Sequence, residues 1–223
     1  GYGKVINVRV FADHSLEVED FGRGIPLGYN EKEKRYNWEL VFCELYAGSK
    51  YDNAQGGTYK YSLGLNGLGA CATQYASEYM EVTVYSGGNE SHISFKKGNP
   101  ASKLEVKPYP HRRTGTIIRW KPDLEVFTDI DISKDYFLQV LKQQAVVNAN
   151  LTLNLEWDVK GGKNEHYTFC YQNGILDYVR EIAGDLNEDG VEEEAADDGI
   201  DAEIAGVTDE DSEEDSPKKR GKK

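Results

Sequence analysis

The sequence predicts a layered α+β sandwich. Three observations carry that expectation: strand-like alternation comes in runs, helical spacing of apolar residues clusters between those runs, and apolar content collapses after residue 183 of 223. A doubly wound sheet would instead alternate strand and helix throughout.

Val5 to Phe11 (V-I-N-V-R-V-F) sets β-branched residues against polar ones, and Ser15 to Glu19 alternates again across the turn cluster Ala12-Asp13-His14. Together they read as a β-hairpin. Asp20-Phe21-Gly22-Arg23-Gly24-Ile25-Pro26 follows, and its two glycines and proline end regular structure. Asn37 to Tyr46 has helical spacing at Trp38, Leu40, Val41, Phe42 and Leu45, with Asn37 as the expected cap. Ala47 to Leu65 is glycine-rich and aperiodic, a long loop of the kind that forms lids or binding loops. A helix is expected over Gly67 to Ser77, where Ala70, Ala72 and Ala76 supply propensity. Strands are expected at Tyr79–Tyr85, Ser91–Lys97 and Gly115–Trp120, a helix at Lys134–Ala149, strands at Leu151–Val159 and His166–Tyr171, and a short helix at Gly174–Ala183.

The formal net charge is −13, unevenly placed. From Gly184 onward sixteen Asp/Glu face five Lys/Arg, whereas the preceding 183 residues carry 23 acids and 21 bases. The expected organisation is therefore one domain over residues 1–183 and a disordered acidic tail over 184–223, ending in a basic patch. The tail holds half a calcium-loop pattern, Asp185-Leu186-Asn187-Glu188-Asp189-Gly190, but Ala196 stands where the twelfth-position Glu is required. Lys218 to Lys223 reads as a solvated end, with weak nucleic-acid contact as the alternative. Cys43, Cys71 and Cys170 are odd in number and form no C-x-x-C pair, which argues against a disulfide framework or zinc site and fits a reducing cytoplasm. No apolar run approaches the roughly 18 residues of a membrane span, so no membrane role is expected.

Two motifs and one short segment carry chemistry. In Asp20–Pro26, a carboxylate at a strand end followed by glycines suits an exocyclic amine on a flat ring; an ordinary acid-capped turn is the alternative. In Tyr59 to Gly69, glycines at 64, 67 and 69 lead into a helix start, an arrangement of backbone amides that suits phosphate, although glycine-rich turns are common. His111-Arg112-Arg113-Thr114-Gly115-Thr116 opens a strand; alone it is a turn.

Taken in this order and spacing, these segments resemble the GHKL ATPases, and within them the type IIA DNA topoisomerase B subunits. D-F-G-R-G-I-P is similar to the family's D-D/N-G-R-G-I-P, and L-Y-A-G-S-K-Y-D to L-H-A-G-G-K-F-D. Y-K-Y-S-L-G-L-N-G-L-G is similar to Y-K-V-S-G-G-L-H-G-V-G, and the stretch from Thr114 to T-G-T-x-V-x-F-x-P-D-x-x-x-F. The resemblance spans residues 1–183 and implies a GHKL (Bergerat) two-layer α/β sandwich with one mixed sheet and helices on one face. It further implies that Asp20 binds the adenine amine, aided by Thr116 and a water. Gly22 and Gly24 admit the backbone to the base, Ile25 and Pro26 line its apolar side, and Arg23 borders the mouth. Backbone amides of Ser62, Leu63, Gly64, Leu65, Asn66, Gly67, Leu68 and Gly69 hold the phosphates, with Lys50 and Lys60 as lid contacts.

The sequence departs from the pattern at Leu63 (a lid glycine in the family), Asn66 (a histidine), the lengthened lid around Gln55–Gly57 and Ser86 (roughly a pocket-edge arginine). The family's E-x-x-D-N helix, with its general base and Mg²⁺ ligand, does not precede Gly1. The expectation is a domain lacking its first strand and helix and inactive alone in hydrolysis. Proteolytic processing or a chosen boundary would explain the same start. The implied parent is an ATP- and Mg²⁺-dependent topoisomerase that works with DNA, an A subunit and a second B subunit in the cytoplasm. A module that binds ATP without hydrolysis, an inactive gene product, and another GHKL ATPase are the alternatives.

Overall fold

The computed structural model describes residues 3–47 and 67–188. In chain order the elements are β1 (Val5–Val10), β2 (Leu16–Asp20), β3 (Tyr29–Asn30), β4 (Arg35–Tyr36), α1 (Asn37–Phe42), α2 (Gly69–Tyr75), β5 (Ser77–Ser86), β6 (Asn89–Lys96), β7 (Asn99–Pro100), β8 (Glu105–Pro108), β9 (Gly115–Pro122), α3 (Lys134–Val147), β10 (Thr152–Trp157), β11 (Glu165–Phe169) and α4 (Ile175–Glu188). The main sheet runs β11-β10-β1-β2-β9-β5-β6-β7, with β8 also on β6. β1 and β10 pair in parallel and the other pairs are antiparallel, so the sheet is mixed, as expected.

Alternation along the strands decides which face is covered. Val8, Val10, Leu16, Leu153 and Leu155 pack under Leu141 and Ala145 of α3. Met80, Val82, Val84, Ile93 and Phe95 pack under Leu27 and under Val41 and Phe42 of α1. Trp120 of β9 touches both clusters and joins them into one buried layer. Each large apolar side chain fully buried there contributes about 1.5–3 kcal/mol.

The opposite face is polar. Across five neighbouring strands, register partners form the row Glu156–Arg9–Glu17–Arg119–Glu81, alternating in charge at every step. Arg9 Nη1 reaches Glu17 Oε1 at 2.7 Å and its Nε reaches Glu156 Oε2 at 3.2 Å. A second row is joined by hydrogen bonds from Thr168 to Asn154, Asn154 to Asn7 and Asn7 to Glu19, each 2.9 Å. Antiparallel strands tolerate such a water-facing side, and a register slip would break both rows while exposing the apolar layer.

Several local expectations are corrected. The first helix ends at Phe42 rather than Tyr46, and Tyr36, not Asn37, is its N-cap. The Glu39 carboxylate accepts from the Tyr36 N–H at 3.0 Å, while Asn37 is drawn into the β3–β4 hairpin, accepting from Asn30 Nδ2 at 2.9 Å. Hairpin geometry thus outweighs the capping preference of asparagine. The second helix begins at Gly69 rather than Gly67, and Ser77, expected to be its last residue, opens β5. α3 begins at Lys134 as read, with Ser133 Oγ accepting from the Tyr136 N–H. The last helix runs to Glu188, five residues past the expected end at Ala183. β3, β4, β7 and β8 carry no alternation long enough to read from sequence. Residues 48–66, most of the expected long loop, and the tail from residue 189 lie outside the described residues.

Candidate functional site

Asp20 ends β2 with the parity of Leu16 and Val18, so its carboxyl lies on the helix-bearing side of the sheet. The chain then folds back on that carboxyl: the Gly22 N–H donates to Asp20 Oδ1 at 2.7 Å. Asp20 Oδ2 is left without a partner among the described residues and can accept a further hydrogen bond. Three residues on, the Ile25 N–H donates to Thr116 Oγ1 at 3.1 Å. Thr116 is 3% exposed, and because its oxygen accepts from Ile25, its O–H remains available to donate.

Two glycines make this turn possible. Gly24 has φ +86°, and a Cβ there would sit 2.7 Å from Val84 Cγ1 and 3.1 Å from the Tyr85 carbonyl oxygen. Gly115 has φ +135°, and a Cβ there would overlap the Asp20 carbonyl oxygen. The turn after β2 is therefore pressed directly onto β5 and the start of β9, with no room for a side chain between. Sequence reasoning read Gly115 as a turn residue opening a strand; its positive φ and its contact across 95 residues are invisible locally.

The sequence-derived residues divide as follows. Asp20, Gly22, Arg23, Gly24, Ile25 and Pro26 form one continuous turn, with Arg23 and Pro26 exposed, and Thr116 is bonded into it. Gly67, Leu68 and Gly69 lead into α2, whose N-cap Leu68 offers no side-chain hydrogen bond. Ala70, in the first turn of α2, packs on the same buried cluster as Ile25, so both segments border that cluster. Lys50, Lys60, Ser62, Leu63, Gly64, Leu65 and Asn66 lie outside the described residues. Among the described residues, no group of three or more His, Cys, Asp or Glu side chains is placed to hold a metal ion.

On the far side of the sheet the same turn is braced by groups that sequence reasoning missed. Arg113 donates from Nη2 to Glu19, and its guanidinium carbon lies 4.2 Å from the Tyr85 ring centroid. Tyr85, Tyr109 and His111 continue as an aromatic cluster of tilted and edge-on rings with centroid spacings of 4.8 and 5.1 Å. The only signal in the sequence was the density of aromatic and basic residues between Tyr109 and Arg113.

One mixed sheet with helices on one face is the fold of the GHKL-type ATPase domains of gyrase B and topoisomerase IV. The chain superimposes with a TM-score of 0.67 on the 43K ATPase domain of Thermus thermophilus gyrase B solved with an aminocoumarin, at 28% identity, covering 82% of this chain and 44% of that one. The topoisomerase IV ATP-binding domain of Francisella tularensis, solved with a small-molecule inhibitor, gives 0.66 at 26% identity, covering 82% and 48%. In sequence the chain is 37% identical over 180 residues to the B subunit of DNA topoisomerase 4 from Staphylococcus aureus, and 36% identical to that of strain Mu50. No protein-family model matches. The chain is homologous to the ATPase domain of bacterial type IIA topoisomerase B subunits, gyrase B and topoisomerase IV B. The match takes in 80% of this chain but only 26% of the curated relatives' length. No helix among the described residues is long and apolar enough to cross a membrane.

Proposed function

We propose that residues 1–183 form an ATP-binding domain, and that the longer protein to which it corresponds is an ATP-dependent type II DNA topoisomerase B subunit. The observation that carries the proposal is the Asp20 turn: one free carboxylate oxygen, a Thr116 hydroxyl able to donate, and bare glycine backbone between them. An adenine amine donates to Asp20 Oδ2, and a ring nitrogen accepts from Thr116, directly or through a water. Guanine presents a carbonyl where the amine would be, so it meets the carboxylate acceptor to acceptor. Ile25 and Pro26 offer apolar surface beside the base. The amides from Ser62 to Gly69, with Lys50 and Lys60, are assigned to the phosphates by the family resemblance.

Among the described residues, no group of three or more His, Cys, Asp or Glu side chains is placed to hold Mg²⁺. In the longer protein, ATP binding would close a pair of B subunits around DNA in partnership with an A subunit, in the cytoplasm. The acidic residues from 184 onward are assigned no part in nucleotide binding.

Titration calorimetry on the 223-residue chain tests the nucleotide reading. ATP binds more tightly than GTP, and Asp20→Asn loses the charge-assisted bond, about 1.5–3 kcal/mol, or roughly 10- to 150-fold in affinity. Equal ATP affinity in the parent chain and Asp20→Asn removes Asp20 from the site.

A further inference from the structure

We infer that Arg113 is a positioning residue: from the polar face of the sheet it holds the Asp20 turn, and through that turn it sets the preference for adenine over guanine. The inference rests on the nucleotide reading above. Among the described residues, Arg113 pairs with Glu19 and lies over Tyr85, both on the polar face of the sheet. Its Nη2 donates to Glu19 Oε1, and its guanidinium carbon lies 4.2 Å from the Tyr85 ring centroid and 6.0 Å from that of Phe21. Glu19 and Phe21 are the two chain neighbours of Asp20, so one planar cation brackets the residue that reads the base.

The bracket is anchored at depth. Glu19 is only 9% exposed, and its second oxygen accepts from Asn7 Nδ2 at 2.9 Å. Both carboxylate oxygens are therefore satisfied, which is the condition for a buried charge to be retained without a large desolvation penalty. Tyr85, under the guanidinium, pairs in register with Gly115, the glycine against which the Asp20 carbonyl packs. Arg113 thus ties the end of β2 to β5 on one face, while the Gly22 and Ile25 amides tie the same turn to Asp20 and Thr116 on the other. Without the bracket, the last residues of β2 can roll about the strand axis, and a carboxylate displaced by a fraction of an ångström loses a hydrogen bond of defined length. Lysine cannot replace both functions, because it offers a point charge but no plane to stack on Tyr85.

The variants to compare are Arg113→Lys, Arg113→Met combined with Glu19→Gln (which leaves no unpaired buried carboxylate), and Tyr85→Phe, all in the full chain. Two readouts are taken. In amide hydrogen exchange without nucleotide, Gly22 and Ile25 exchange about tenfold faster in the double variant, while Val82 and Ile93 in the sheet centre are unchanged. In titrations, the double variant binds ATP about tenfold more weakly, equivalent to about 1.4 kcal/mol, and binds GTP as before. Arg113→Lys falls between, and Tyr85→Phe, which keeps the ring, matches the parent. A general loosening of the fold would weaken ATP and GTP together. That result, or unchanged exchange at Gly22 and Ile25, overturns the inference. A parent chain that prefers neither nucleotide overturns the Asp20 reading instead, and the exchange measurement, which needs no nucleotide, still decides whether Arg113 holds the turn.

Discussion

Replacing Gly115 with alanine strikes the closest backbone approach in the candidate site. The residue sits at φ +135°, a region open essentially to glycine alone, and a Cβ there overlaps the Asp20 carbonyl oxygen with Phe21 Cα 3.0 Å away. The dihedral costs about 1–3 kcal/mol for a residue with a side chain. The overlap is with backbone on a paired strand, so relieving it resembles overpacking a core, about 1–3 kcal/mol more. The sum is about 4 kcal/mol, a large fraction of the roughly 5–15 kcal/mol that holds a domain together. For a chain of this size each kcal/mol moves the unfolding midpoint by about 2–4 °C, so Gly115→Ala lowers it by about 8–16 °C. Gly87 is the control: its φ is +59°, but nothing lies within 4 Å of a Cβ there. Gly87→Ala therefore suffers only the left-handed penalty, about 1–2 kcal/mol. Thermal unfolding followed by circular dichroism compares the two. If Gly115→Ala unfolds no earlier than Gly87→Ala, β2 and β9 are not pressed together, and the geometry of the Asp20 turn is wrong.

Two further outcomes follow from the titratable groups. The Asp13 carboxyl is held below its ordinary value of 3.8, chiefly by the hydrogen bond from the Ser15 hydroxyl, which is fully buried. A depressed acid stabilises the fold above its unfolded value and loses that contribution as pH falls through the folded one. Ser15→Ala therefore destabilises at neutral pH, and the difference from the parent narrows as pH falls below 3.8; a constant difference down to the most acid condition contradicts the assignment. Burial pushes the Cys43 thiol up to about 11, with Cys71 and Glu39 adding to it, and burial likewise raises Cys71. At pH 8 the Cys43 thiolate is then about 0.1% of the total, so a disulfide reagent titrates the exposed Cys170 first, the half-buried Cys43 far more slowly and the buried Cys71 only on unfolding. Two or more fast thiols in the native chain would show that Cys71 of α2 is not buried or that the Cys43 thiol is not raised by burial.

Local chemistry determined much of this protein. The alternation in Val5–Phe11 and Ser15–Glu19, the turn residues between them and the spacing of Lys134–Ala149 are properties of a few consecutive residues, and the elements formed there with ends shifted by one or two residues, as Val5–Val10, Leu16–Asp20 and Lys134–Val147. The carboxylate-and-glycine turn at Asp20 was legible for the same reason, since turn chemistry acts within a handful of bonds. Thr116 was different: its T-G-T offered a hydroxyl for a bound base but by itself read as a turn, and the family resemblance gave it a role beside Asp20. Tertiary structure decided what those local rules cannot reach. It set β1 beside β10, 147 residues away, and brought Thr116 to Ile25 and Gly115 against Asp20. It turned Asn37 from cap to hairpin anchor and gathered Arg113, Glu19 and Tyr85 behind the site. Those outcomes depend on which apolar faces bury one another and on contacts between strands far apart in sequence, so the free energy that selects them appears only when the whole sheet is assembled.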